Sequence, residues 1–181
     1  DISSKPLDFI SHVLGDEASG SLFAYLKAKG WVSNLIAGSG IEGQNFKDFN
    51  INLQLTESGL TQQQDIINAA FYVIEILKEA AKEEWRLQEK AKLNQLARQY
   101  DDSHKPLQAI SELAELHQYF SWGDIAKACI SETLTQQSLC DALAYFTPAN
   151  MRVKVIARGV HTTKRCAYYD AAYAIEPYTE Q

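Results

Sequence analysis

The residue types able to do covalent or metal chemistry are few in this 181-residue chain, and their spacing does not assemble a reaction centre. The four histidines are His12, His104, His117 and His161. An inverted zinc motif, H-x-x-E-H, needs two histidines one helical turn apart to hold the metal and a glutamate to activate its bound water. No two of these histidines lie close enough, and the acids following His12, Asp16 and Glu17, come too late. Ser11 and His12 are adjacent, but adjacency in the chain does not set a base against a hydroxyl nucleophile. No G-x-S-x-G elbow occurs, and Gly20-Ser21 leads into an ordinary helix. Gly38, Gly40 and Gly43 are followed neither by Gly-Lys-Ser/Thr nor by the spacing of a dinucleotide fingerprint. Cys129, Cys140 and Cys166 lack the paired spacing of a metal or redox site, and the first two sit in apolar helical contexts that suit buried thiols. Glu83, Glu84 and the acids of later helices read as solvated surface. The expectation is a segment with no catalytic residue, no metal and no cofactor of its own, which leaves recognition as its chemistry.

Composition narrows the partners. Seventeen Lys and Arg against 23 Asp and Glu give a net charge of −6, without the basic stripe that phosphate binding requires. Nucleic acid is not an expected partner. No apolar run reaches 18 residues and no signal peptide is present, so no membrane partner is expected either. The length and an apolar content of 46% suit one domain, residues 1–181, able to bury its own core. The chain opens on Asp1 rather than Met, which suggests a mature or excised fragment.

The elements that would position a recognition surface are legible from periodicity. Pro6 to Leu14 has the pattern of a helix, with Phe9, Ile10, Val13 and Leu14 on one face. A second helix starts near Ser19 to Ser21 and carries Leu22, Phe23, Tyr25 and Leu26; Gly30 supplies its left-handed stop. A strand follows over Trp31 to Ala37, and Gly38, Gly40 and Gly43 suggest a mobile turn. Phe49, Ile51, Leu53 and Leu55 alternate with polar residues as a second strand, pairing with the first as a hairpin. Thr61 and Gln64 form the pattern of a capping box opening a long helix whose stripe is Ile66, Ala70, Val73, Ile74, Leu77 and Ala81. Further helices are expected over Glu83 to Gln99, with Trp85, Leu87, Leu93 and Leu96 inward, over Pro106 to Tyr119, over Ile125 to Ile130 after a Ser121-Trp-Gly-Asp124 capping box, and over Thr135 to Tyr145. Met151, Val153 and Val155 alternate as a third strand, and the tail from His161 is poorly patterned. The fold class is α+β: a two-layer sandwich of an antiparallel-dominated sheet packed on one face by several helices.

Several short motifs, in order, carry a family likeness. Ser11-His-x-x-Gly15, Gly20-Ser-Leu22 and Leu26-Lys-x-Lys-Gly-Trp-Val32 come first. Asn50-Ile-Asn-Leu-Gln-Leu-Thr-Glu-Ser-Gly-Leu60, Thr147-Pro-Ala-Asn-Met-Arg-Val153 and Tyr173-Ala-Ile-Glu-Pro177 follow. Together they resemble the second, non-catalytic domain of the insulinase/pitrilysin family of zinc peptidases, across nearly the whole chain. That resemblance implies a domain walling half of a closed peptide chamber, against the catalytic domain of the same chain, with zinc held in that other domain. It also implies a further strand upstream of Asp1, so the sheet of this fragment would have an open edge able to pair with a second copy. By resemblance, the N-terminal end of a peptide substrate pairs with a short strand here, and the matching positions are Gly15, Leu35, Ile36 and Ala37. The physics is strand addition, in which main-chain groups bind an extended peptide with little demand on its side chains. The family commonly has two glycines where this chain has Ala37-Gly38, and the Ala37 methyl is a candidate for crowding the peptide. Asp16-Glu17 is either an attractor for a free amino terminus or a solvated helix start. The compartment stays open: periplasmic for a bacterial pitrilysin-like parent, otherwise cytoplasmic. Two alternatives remain at this level, a non-peptidase structural member of the respiratory-complex core-subunit type and a stand-alone Ser/His/Asp hydrolase.

Overall fold

The computed structural model describes residues 5–43, 46–81, 84–100, 105–125 and 134–178. The chain divides into two compact units, Asp1–Phe146 and Thr147–Gln181.

The first unit begins with α1 (Pro6–Leu14) and α2 (Leu22–Ala28), followed by the antiparallel pair β1 (Val32–Glu42) and β2 (Lys47–Leu55). Ser21 caps α2 by accepting the Ala24 amide at 3.1 Å. Its other end is a Schellman stop: Gly30, at φ 72°, donates its amide to the Lys27 carbonyl at 2.9 Å, and Trp31 donates to Leu26 at 3.1 Å. The left-handed residue turns the chain directly into β1. A side chain at Gly30 would put its Cβ against the carbonyl in that conformation, which is why glycine stands there.

The far end of the hairpin is tied to this same turn. Thr56, just past β2, donates its amide to the Trp31 carbonyl at 3.0 Å and its hydroxyl to the Gly30 carbonyl at 2.7 Å. The Thr56 hydroxyl oxygen also accepts the Gly59 amide at 3.0 Å, capping the short helix α3 (Glu57–Thr61). Gly59 is buried against the Trp31 backbone so closely that a Cβ there would run into the Trp31 carbonyl oxygen. The long helix is α4 (Gln63–Ala80), and no side chain caps it. The capping box expected at Thr61 and Gln64 is therefore replaced by the Thr56 cap one turn earlier; the Thr61 hydroxyl donates back to the Ser58 carbonyl at 2.7 Å instead.

Two apolar clusters hold the unit. One joins Leu22, Phe23 and Leu26 of α2 to Val32 and Leu35 of β1 and Ile66 of α4. The other joins Phe9, Ile10 and Leu14 of α1 to Ile74, Leu77 and Ala81 of α4 and to Leu139 and Leu143 of α7 (Gln136–Leu143). Ala37, Ile51 and Val73 pack against both. The helices thus cover one sheet face, as the alternation of β2 requires. Val32 and Leu35 are both buried although three residues apart, because the register shifts between Val32 and Asn34 and resets the alternation.

Three expectations are corrected. Gly38 and Gly40 lie inside β1 rather than in a turn, paired through Gly38↔Asn50, and neither has a positive φ. A Cβ on Gly40 would meet only the ends of the Asp48 and Asn50 side chains, which can rotate aside. The turn is closed later, by the Gly43 amide on the Phe46 carbonyl at 2.8 Å. Residues 151–155 form no ladder, since alternation alone supplies no neighbouring strand, and Val153 and Val155 are exposed. In α5 (Glu84–Gln99) Leu87 is buried, whereas Trp85, Leu93 and Leu96 are about half exposed, so the inferred inward stripe is mostly a surface. In α6 (Pro106–His117) no residue is buried.

A helical turn at residues 122–125 follows Ser121, whose hydroxyl oxygen accepts the Asp124 amide at 3.3 Å; the expected continuation to Ile130 lies outside the described residues. Thr135 and Ser138 make a complete capping box for α7. The second unit is mostly irregular, with a 3₁₀ turn at Pro148–Asn150 and a short hairpin, β3 (Lys164–Arg165) on β4 (Ala172–Tyr173). The tail from His161 thus pairs with itself. Among the described residues no helix is long and apolar enough to cross a membrane.

The Gly30–Thr56 junction yields a stability prediction. Thr56→Ala removes a helix cap and a cross-link together and is expected to cost about 1–2 kcal/mol. Gly59→Ala forces α3 off the Trp31 backbone and is expected to cost about 1–3 kcal/mol. Urea unfolding midpoints of the two variants measure both; unchanged midpoints would remove the junction from the account of this fold.

Candidate functional site

The four residues matched by resemblance, Gly15, Leu35, Ile36 and Ala37, lie together along one groove of about 420 Å³. Its other lining residues are Ser11, His12, Asp16 and Glu17. The wall on one side is the end of α1. Gly15 follows that helix, with its amide on the Ser11 carbonyl at 2.8 Å, and a Cβ built on it would lie 3.9 Å from both the Ala37 nitrogen and the Ala37 methyl. Glycine lets the helix end come up against the strand.

The other wall is β1 itself. Within the described residues β1 pairs with β2 on one side and with no strand on the other. The Ser11 hydroxyl donates to the Ala37 carbonyl oxygen at 2.7 Å. A Cβ built on Gly38 would lie 3.5 Å from that same Ser11 oxygen. Successive residues of a strand direct their side chains to opposite faces. An oxygen within reach of both positions therefore stands beside the strand, at the edge away from β2. In an antiparallel ladder, a residue's N–H and C=O both point to the same edge, and alternate residues point to opposite edges. Leu35 and Ala37 thus turn their main-chain groups to the groove. Ile36, opposite Asn52, turns its own toward β2 and offers the groove its exposed side chain.

The Ala37 methyl belongs to the buried side of the strand. It points inward, where Ala37 packs against both apolar clusters.

The groove holds no nucleophile–base pair. The hydrogen of the Ser11 hydroxyl is directed at a carbonyl, and His12 is exposed beside it. The two carboxylates at the mouth are exposed, and Asp16 Oδ1 accepts the Ala18 amide at 3.0 Å. Among the described residues no three His, Cys, Asp or Glu side chains converge to hold a metal ion. His104 and Cys129 lie outside the described residues; Cys140 is half-buried against the second cluster.

One thiol is electrostatically set apart, in the second unit. Cys166 begins the β3–β4 turn, accepting the Asp170 amide on its carbonyl at 2.9 Å. Backbone N–H groups of Tyr169 and then Tyr168 face its sulfur and hold the thiol below its ordinary range, against a small opposing effect of burial. The thiolate therefore forms at a lower pH than in an unstructured peptide. Iodoacetamide labelling at near-neutral pH is expected to modify Cys166 faster than the same thiol in unfolded chain, with the rate midpoint at lower pH; equal midpoints would refute the assignment.

Comparison with known proteins places the chain. A family profile described as "Peptidase M16 inactive domain" matches residues 3–93. The chain is 32% identical over 180 residues to insulin-degrading enzyme of Mus musculus, covering 98% of this chain and 18% of that protein. It is 30% identical over 165 residues to a nardilysin-like protein of Arabidopsis thaliana, covering 86% of this chain and 16% of that one. The crystal structure of pitrilysin superposes with a TM-score of 0.81 at 22% identity, over 96% of this chain and 19% of that chain, which establishes a shared fold. The chain spans less than a fifth of the length of each of these proteins.

Proposed function

The chain belongs to the insulinase-type zinc metallopeptidase family as its inactive domain, and on that footing we propose that it walls the peptide chamber of a zinc endopeptidase and anchors the N-terminal end of the substrate. The zinc and the bond cleavage belong, in this reading, to a catalytic domain of the same protein. The observation that carries the proposal is the open edge of β1 at Leu35 and Ala37, facing a groove whose opposite wall is the end of α1.

Strand addition fits the surroundings. Main-chain groups at the edge of β1 bind an extended peptide whatever its sequence, which suits an enzyme acting on varied substrates. The outward Ile36 side chain gives the peptide an apolar contact, and Asp16 and Glu17 at the mouth favour a free ammonium group. A few main-chain hydrogen bonds, at about 0.5–1.5 kcal/mol net each, make a weak anchor by themselves. Joined to a second contact at a distant active site, the same bonds raise the local concentration of the rest of the peptide. Binding energy at the groove is then used for positioning.

Ala37→Pro tests this. It removes one of the two edge N–H groups at the smaller of the two inward-facing side chains, since Leu35 is fully packed in the core and the amide of Ile36 faces β2. In the intact protein, KM for long peptides is expected to rise about three- to tenfold, the equivalent of one hydrogen bond, with kcat for short peptides that do not reach the groove unchanged. Equal cleavage of long peptides by both proteins would sink the anchoring role.

A further inference from the structure

We infer that Ser11 is a positioning residue that sets where a peptide strand on β1 must stop, an inference that rests on the strand-pairing reading above. Its hydroxyl already bonds the Ala37 carbonyl oxygen at 2.7 Å, from the edge side of the strand. An incoming peptide amide would have to bring its nitrogen to about 2.9 Å from the same oxygen, on the same edge. Ser11 Oγ stands in that place. It cannot drift easily, because Ser11 lies in the last turn of α1 and its own carbonyl takes the Gly15 amide at 2.8 Å.

The ladder open to a peptide therefore consists of the Leu35 N–H and C=O and the Ala37 N–H, and it ends at the Ala37 carbonyl. A peptide shifted further along β1 would have to break the Ser11 bond to gain one of its own. That exchange gains nothing while it forces the helix end aside. A short, closed ladder defines one register, and one register fixes how far the rest of the peptide extends beyond the groove. A strand edge without such a stop would let peptides slide in steps of two residues, since a one-residue slip exchanges the faces. The hydroxyl supplies register where side-chain readout is weak.

The experiment is an N-methyl scan. A fluorescent decapeptide and its single N-methyl analogues are titrated by anisotropy into the intact protein with chelator present, using wild type, Ser11→Ala and Ser11→Thr. In wild type, N-methylation is expected to weaken binding at the residue whose N–H meets the Leu35 carbonyl and to be silent at the residue facing the Ala37 carbonyl. In Ser11→Ala the silent position becomes sensitive, and the unmodified peptide binds about three- to tenfold tighter through the freed acceptor. Ser11→Thr keeps the hydroxyl and restores the wild-type pattern. A position-dependent pattern that is identical in Ser11→Ala, or a uniform loss of binding in that variant, overturns the role of Ser11 alone. If no N-methyl group matters in wild type or Ser11→Ala, strand pairing itself is wrong and the inference falls with it. Matched urea midpoints for the three proteins separate a binding effect from a folding one.

Discussion

The first unit depends on one close approach of backbone to backbone, where Gly59 lies against Trp31. The Trp31 carbonyl takes the Thr56 amide at 3.0 Å, and the Gly30 carbonyl next to it takes the Thr56 hydroxyl at 2.7 Å. These bonds join the start of β1 to the end of β2, closing the base of a hairpin whose tip lies about ten residues away along each strand. A two-stranded ribbon is marginal in water without a covered face. The junction aligns the strands so that Leu35, Ala37, Ile51 and Leu53 share a face, and α1, α2 and α4 cover it. Any residue with a Cβ at position 59 would separate α3 from β1 and with it the entry to α4.

The same constraint creates the groove. β1 leaves the left-handed turn at Gly30 with β2 fixed on one side, so its other edge meets the end of α1. Small residues permit the approach: Gly15 on the helix side, and Ala37 on the strand side with its methyl turned into the core. An edge strand is a hazard for unwanted pairing, and covering it with a helix or loop is a common remedy. Here the cover is partial. Ser11 closes one carbonyl, and no described strand covers the groups before it.

Much of this was legible in residue types. The α1 stripe, the Ser21 cap, the Gly30 stop, the β2 alternation and the α7 cap all rest on interactions within a few residues of one another, and such interactions write themselves into local sequence. What failed were features needing a distant partner. Thr56 rather than Thr61 caps the helical entry because its hydroxyl is already held against Gly30, 26 residues away. Met151, Val153 and Val155 have a strand's alternation but, among the described residues, no strand paired with them. Gly38 and Gly40 look like a turn from composition, yet both lie within β1, held extended beside β2.

For the groove, sequence alone named Gly15, Leu35, Ile36 and Ala37 through a family likeness, and excluded metal ligands in the spacing of that family's zinc site. Both follow from composition and order, which need no coordinates. Only the tertiary structure decided how the four residues are arranged. It turned the main chain of Leu35 and Ala37 to the open edge and that of Ile36 toward β2. It pointed the Ala37 methyl away from the groove and brought Ser11 onto the Ala37 carbonyl across 26 residues. Strand parity is set by the register with β2 and its shift near Ser33, and a helix end reaches a strand edge only once both are packed on the same core. Neither quantity is local, so neither is written in the order of the residues.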